Sequence, residues 1–275
     1  MSLPPGTGGS EAGTVRWVLT LAYDGSSFHG FAAQQGLRTV AGSLIEALER
    51  IAQVPVSITC AGRTDAGVHA SHQVVHVDLP AEVAARLDPV RVVASCNAQA
   101  GPAIVVRSAG PATPGFDARR SATSRRYRYL VVNAPVPDPL LAGLAWHVAD
   151  PLDLRSLAAA SDALLGEHDF RAFCRRVPGT SPGEPIVRRV IDARWARVGG
   201  GPFPAPVEGS LLAFEIEANA FCHQMVRSLV GTVVDVGRGR RRPSDLPWIL
   251  RSADRQQASQ PAPPHGLTLV AVAYP

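Results

Sequence analysis

The segment Val56-Ser57-Ile58-Thr59-Cys60-Ala61-Gly62-Arg63-Thr64-Asp65-Ala66-Gly67-Val68-His69-Ala70, followed by Ser71-His72-Gln73-Val74-Val75-His76-Val77-Asp78-Leu79, decides how this chain is read. Val56–Cys60 and Gln73–Leu79 have the β-branched, alternating character of strands. Between them Gly62 and Gly67 bracket a tight turn that holds one carboxylate, Asp65, two residues after Arg63. Two readings of Asp65 stand at this point. An aspartate beside glycine commonly caps local backbone N–H groups. A carboxylate held at a strand end beside a cation also suits an ionised nucleophile.

Working outward, Trp17–Tyr23 reads as a strand that ends at the turn Asp24-Gly25. Val40–Ile51 reads as an amphipathic helix with Leu44, Leu48 and Ile51 on one side. Asp88-Pro89 is a fitting N-cap and first-turn pair for the next helix. Ile104–Arg107 and Arg126–Val132 read as strands, and the proline-rich stretch Asn133–Pro139 marks a change of half. Beyond it come helix Leu152–Leu165, strands Val187–Val198 and Ser210–Ala218, helices Cys222–Val236 and Ser244–Arg251, and strand Leu267–Ala273. The Gly/Pro-containing stretch Gly199–Gly209 reads as a flexible hairpin loop. The chain is therefore divided into a disordered tail (1–14), an N-terminal α/β half (15–135) and a C-terminal α/β half (136–275).

Composition narrows the chemistry. The sequence is 46% hydrophobic, enough for a large core, and its net charge of +4 leans toward an anionic partner without establishing one. All 27 basic residues are arginine. Without lysine there is no Schiff-base amine, no pyridoxal anchor and no P-loop lysine, whereas arginine grips phosphate bidentately. Cys60, Cys96, Cys174 and Cys222 are widely spaced with no CxxC pair, so reduced thiols of a cytoplasmic protein are expected. No apolar run approaches the length of a membrane span.

His69, His72 and His76 raise the question of a metal. On a strand His72 and His76 align while His69 stays in the loop, which falls short of a normal ligand set, so no metal is expected. The arginine clusters Arg119–Arg128, Arg171–Arg176, Arg188–Arg197 and Arg238–Arg242 read either as solvated faces or as a phosphate-tracking surface. In Arg126-Tyr127-Arg128-Tyr129, alternation places the tyrosines on one face and the arginines on the other. Arg227 shares a helix face with His223 and Gly231, and Gly231 permits close approach of another backbone.

The string Ala61–Ala70 resembles the active-site motif of TruA-type tRNA pseudouridine synthases. Further matches follow in order: Phe116–Arg119, Ser121–Tyr129, Leu165–Phe170, Asn219–Arg227 and Gly266–Val272. The resemblance implies two similar α/β halves that share a central, largely antiparallel mixed sheet, with the active cleft between them. It implies uridine-to-pseudouridine isomerisation at tRNA positions 38, 39 and 40, in the anticodon stem-loop, by a cytoplasmic homodimer. The reaction is not a redox reaction, so no cofactor is expected. Asp65 takes the position of the essential aspartate, acting by attack at the ribose C1′ or by deprotonation at C2′. Arg227 matches its cationic partner, and Tyr127 matches the tyrosine stacked on the uracil. Arg63, Gln34, Arg126, Arg128, His223 and Leu267 complete the expected substrate-binding set. The chain departs from the family pattern at Gly30-Phe31-Ala32-Ala33-Gln34, where Phe31 keeps an aromatic surface but Ala32 and Ala33 lose polar contacts. Two other classes remain: an RNA-binding module without activity, and a dimeric aspartic hydrolase in which two carboxylates share a proton.

Overall fold

A computed structural model describes residues 13–175, 183–199 and 211–275. Arg176, most of the expected 199–209 linker, Ser210 and nearly all of the N-terminal tail lie outside the described residues. Ten strands form one sheet: β1 (Thr14–Tyr23), β2 (Ile58–Cys60), β3 (His69–Pro80), β4 (Ile104–Pro111), β5 (Ser124–Asn133), β6 (Trp146–Val148), β7 (Gly166–Asp169), β8 (Val187–Arg197), β9 (Leu211–Ala218) and β10 (Leu267–Ala273). Their order is β4-β1-β3-β10-β5-β9-β8-β7, with β2 beside β3 and β6 beside β5. Only the β10–β3 and β5–β6 pairs are parallel; the other pairs are antiparallel. The mixed, largely antiparallel sheet expected of the family is present.

Six α-helices accompany the strands among the described residues: α1 (Val40–Ala52), α2 (Ala81–Ala85), α3 (Pro89–Ala100), α4 (Leu154–Asp162), α5 (Met225–Gly237) and α6 (Asp245–Ser252). Local chemistry sets their ends. Thr39 caps α1 by accepting from Gly42 N–H, and Asp88 caps α3 by accepting from Arg91 N–H with Pro89 in the first turn. The buried stripe Val40, Ala41, Leu44, Ala47, Leu48 of α1 has helical spacing. Fully burying a side chain such as Leu44 contributes about 1.5–3 kcal/mol.

The edge of β3 positions the functional loop. One edge of β3 is taken by β1 along nearly its whole length, from Thr14 opposite Pro80 to Tyr23 opposite Ala70. On the other edge β2 pairs with Val75–Val77, while β10 pairs with His69 and Ala70. A notch therefore opens between β2 and β10, and residues 61–68 fill it. Ala61 N–H bonds to Val74 C=O at 2.9 Å, extending the β2 pairing by one residue before the chain turns away.

Four expectations are corrected. The strand after the loop begins at His69, not Gln73, so His69 is in β3. Gln73 to Val77 are all buried, because both faces of β3 are covered there and simple alternation does not hold. Helix α5 starts at Met225 rather than Cys222, since Gln224 takes a left-handed conformation with φ of 63°. His223 therefore precedes the helix instead of sharing a face with Arg227. Finally, Cys174 and Cys222 form a disulfide with Cα atoms 5.7 Å apart, while Cys60 and Cys96 are free and buried. Forty-eight residues separate the pair, and a backbone bond from Arg175 N–H to His223 C=O brings their two loops side by side. Spacing in the sequence carries no sign of that meeting.

Candidate active site

The loop that presents Asp65 is held from beneath through Gly62, Thr64 and the turn from Asp65 to Val68. Gln73 donates from Nε2 to Gly62 C=O at 2.7 Å and to the Tyr23 hydroxyl at 3.3 Å. That hydroxyl lies 2.8 Å from Thr64 Oγ1. Phe31 N–H bonds to Thr64 C=O at 3.0 Å, and Val68 N–H closes the turn on Asp65 C=O at 3.2 Å. Close packing explains two glycines. A Cβ on Gly25 would lie 2.0 Å from the Val68 carbonyl oxygen, and Gly67 adopts a positive φ of 76° against Pro264.

The Asp65 side chain faces away from its own turn. Arg227 Nη1 donates to Oδ2 at 3.2 Å, and His223 Nε2 lies 3.3 Å from Oδ1. The turn-cap reading therefore gives way. Both oxygens meet side chains from 162 and 158 residues further along the chain, leaving Asp65 partly open with its side chain 21% exposed. A carboxylate engaged in this way is also unlike a proton-sharing pair of acids, which disfavours the aspartic-hydrolase class.

Arg227 is itself fixed. Its Nε donates to Ala262 C=O at 2.8 Å, and its own carbonyl accepts from Ala262 N–H at 2.9 Å. The neighbouring segment approaches α5 at Gly231, where a Cβ would stand 2.0 Å from the Gln260 carbonyl oxygen. The glycine on this helix admits another backbone, as its position in the sequence indicates.

Tyr127 is buried on the cleft side of β5, its ring edge-on to Phe221 with centroids 5.1 Å apart. Its hydroxyl lies over Gly62, 3.7 Å from where a Cβ would sit. Burial pushes its phenol far above the ordinary range, and the charge of Asp65 adds to the rise. Tyr127 is thus a neutral phenol at the wall of the notch.

The other expected residues are spread more widely. Arg63 is exposed beside the loop; the cation bonded to Asp65 is Arg227. Gln34 is exposed and donates to His29 C=O at 3.2 Å. Leu267 is buried at the start of β10, opposite Tyr129. Arg126 and Arg128 face the opposite side of the sheet from Tyr127, where they pair with Glu217 and Glu215 of β9. Phe31, expected to offer an aromatic surface, is instead 3% exposed and packs near Tyr23, so it supports the loop from within. Two of the strand histidines serve the backbone. His69 Nδ1 accepts from Gly25 N–H at 3.1 Å, and His76 Nδ1 accepts from Ala118 N–H at 2.9 Å.

The residue-by-residue reading missed Tyr23, Thr64, Gln73 and Phe221, which build the floor and wall of the site. It also missed Arg125. Strand alternation offered a signal for Arg125, since it stands two residues before Tyr127 and so faces the same way.

A single carboxylate, oriented by a guanidinium and an imidazole beside a buried neutral tyrosine on a mixed sheet, marks this notch as the candidate active site of an enzyme. Comparison with known proteins makes this specific. The family pattern described as tRNA pseudouridine synthase matches residues 160–275. A tRNA pseudouridine synthase A from Frankia casuarinae is 45% identical, covering 96% of this chain and 90% of the relative. Proteins of the same name from Bifidobacterium animalis subsp. lactis and Methylobacterium nodulans are 42% and 40% identical over 95% and 94% of this chain, and 94% and 96% of their own lengths. The chain belongs to the tRNA pseudouridine synthase family.

Proposed function

We propose that this protein isomerises uridine to pseudouridine in tRNA, at positions 38, 39 and 40 of the anticodon stem-loop, with Asp65 as the acting carboxylate. The observation that carries the reading is the clasp of Asp65 by Arg227 and His223, in a chain similar to synthases over nearly its whole length. In this reaction the N1–C1′ bond breaks, the uracil turns, and a C5–C1′ bond forms. The proton leaving C5 is balanced by one gained at N1, so the step is redox-neutral. Asp65 acts either by attack at C1′ or by removing the C2′ proton to give a glycal.

The remaining residues take roles that follow from their placement. Arg227 orients the carboxylate and stabilises its charge. Tyr127 stacks on the base, which must leave its own stack at a cost of a few kcal/mol; base–aromatic stacking recovers about 1–3 kcal/mol. Arg63 and Gln34 stand exposed near the loop and meet the RNA, and Leu267 packs beneath the tyrosine wall. Arg126 and Arg128 lie outside this substrate site. The halves 15–135 and 136–275 act as the two walls of the cleft. The working form is a homodimer in the cytoplasm, with tRNA contacting both subunits. Among the described residues no helix is long and apolar enough to cross a membrane.

The test is to incubate purified protein with an unmodified tRNA transcript and map pseudouridine. Product is expected at the three anticodon-arm positions. Asp65→Asn keeps the shape and should lower the rate on the order of 10³-fold or more. Parent protein that binds transcript yet leaves every uridine unchanged would support the RNA-binding module instead.

A further inference from the structure

Among the described residues Arg125 is the one arginine that is buried. It is 8% exposed, and its hydrogen-bond partners are all backbone carbonyls. Nε donates to Ala61 C=O at 3.2 Å. Nη1 donates to Ala122 at 3.0 Å and to Asn219 at 2.9 Å. Nη2 donates to Ala61 at 2.9 Å and to Arg119 at 2.6 Å. These bonds match the five N–H donors of a guanidinium. Burying a cation against dipoles alone is costly, and an apolar side chain is buried at less expense, as Val131 is on the same face of β5.

The identities of the acceptors show what the arrangement does. Ala61 opens the loop that ends in Asp65. Arg119 and Ala122 belong to the segment that leads into β5 and Tyr127. Asn219 opens the segment that carries Phe221, His223 and Arg227. It is pinned on its other side too, accepting from Arg189 N–H at 3.0 Å and donating its own N–H to Arg189 C=O at 3.1 Å. The three parts of the site come from distant stretches of sequence, and one planar fork joins their roots.

We propose that Arg125 is a positioning residue for the isomerisation, setting the mutual geometry of Asp65, Tyr127 and the His223–Arg227 segment without touching substrate. The proposal rests on the isomerase reading above. A fork with fixed angles holds four carbonyls in one arrangement, which the ammonium of lysine cannot reproduce. A displacement of about 1 Å at a reacting group can lower a rate about 10²-fold.

The test compares parent, Arg125→Lys and Arg125→Ala proteins in three measurements: tRNA affinity by filter binding, single-turnover pseudouridine formation at saturating enzyme, and near-UV circular dichroism. For Arg125→Lys the rate should fall about 10²-fold with the dissociation constant within about twofold of parent. For Arg125→Ala, millimolar ethylguanidinium should restore at least about a tenth of the lost rate, because it returns the fork to the space it left. Rates equal to parent would overturn the proposal, as would a parallel loss of affinity and rate. Loss of the near-UV spectrum in both variants would also overturn it, by making Arg125 a pillar of the fold rather than a positioner. Parent protein that forms no pseudouridine overturns the isomerase reading itself, an outcome distinct from an active parent and an equally active lysine variant.

Discussion

Strand β5 carries arginine on both of its faces. Arg125 points into the cleft side and meets only carbonyls; Arg126 and Arg128 point out of the other side and meet Glu217 and Glu215. On the outer face charge balances charge across neighbouring strands, and Arg194 of β8 joins the array through Asp192 and Glu215. Water reaches these pairs; the Arg128 side chain is 49% exposed. Solvent screening leaves such bridges worth about 0–1 kcal/mol each. On the inner face an arginine without an acidic partner stands where burial makes it expensive. The contrast teaches that one residue type, shifted by one place along a strand, changes from a solubilising charge to a structural clamp.

The contrast can be broken or sharpened by substitution. The largest effect should come from the cleft side: Arg227→Ala removes the cation bonded to Asp65, and single-turnover rates should fall about 10²-fold. Transcript affinity, measured on the same samples, should change little. Equal losses of affinity and rate would reduce Arg227 to a binding residue. Next, Tyr127→Phe retains the ring and removes the hydroxyl, so binding should persist while product formation slows about tenfold. An unchanged single-turnover rate would show that the hydroxyl has no part in the chemistry.

The outer face should respond least. Arg128→Ala should leave pseudouridine formation at the parent rate and shift stability by no more than about 1 kcal/mol in urea titrations. A pH series sharpens the same point. The bond from Ser124 and the pairing with Arg126 hold the Glu217 carboxyl below its usual value of 4.5. Its contribution is present above 4.5 and is lost as pH falls through the lower folded-state value. Glu217→Gln should therefore flatten the acid limb of the stability curve by lowering stability at neutral pH, by no more than about 1 kcal/mol, while the two proteins converge in acid. Neutral-pH activity lost in either outer-face variant would mean that the two faces are not independent.

Much of this was legible in the chain. The turn at Asp65, the opposite orientation of Tyr127 and its flanking arginines, and the close approach at Gly231 all follow from local rules of alternation, helical spacing and glycine geometry. What was not legible is non-local. The meeting of Cys174 with Cys222 depends on two loops converging. The four acceptors of Arg125 lie on three segments that no periodicity connects. The apolar pattern of the helix runs through His223, and only the left-handed turn at Gln224 takes it off the helix and toward Asp65. The doubly buried run Gln73–Val77 likewise reflects what packs on both sides of the sheet, which a strand cannot announce by itself.

The location of β10 carries a consequence for how the molecule is made. Residues 267–273, which follow every other described strand in the chain, slot between β3 and β5 in the middle of the sheet. Until they arrive, β3 and β5 have no common neighbour in the sheet, and the strand carrying Tyr127 reaches the loop at position 65 only through side chains such as Arg125. Contacts between residues so far apart in sequence form slowly. A nascent chain can thus bury much of its hydrophobic interior before the closing strand joins β3 to β5 across the sheet.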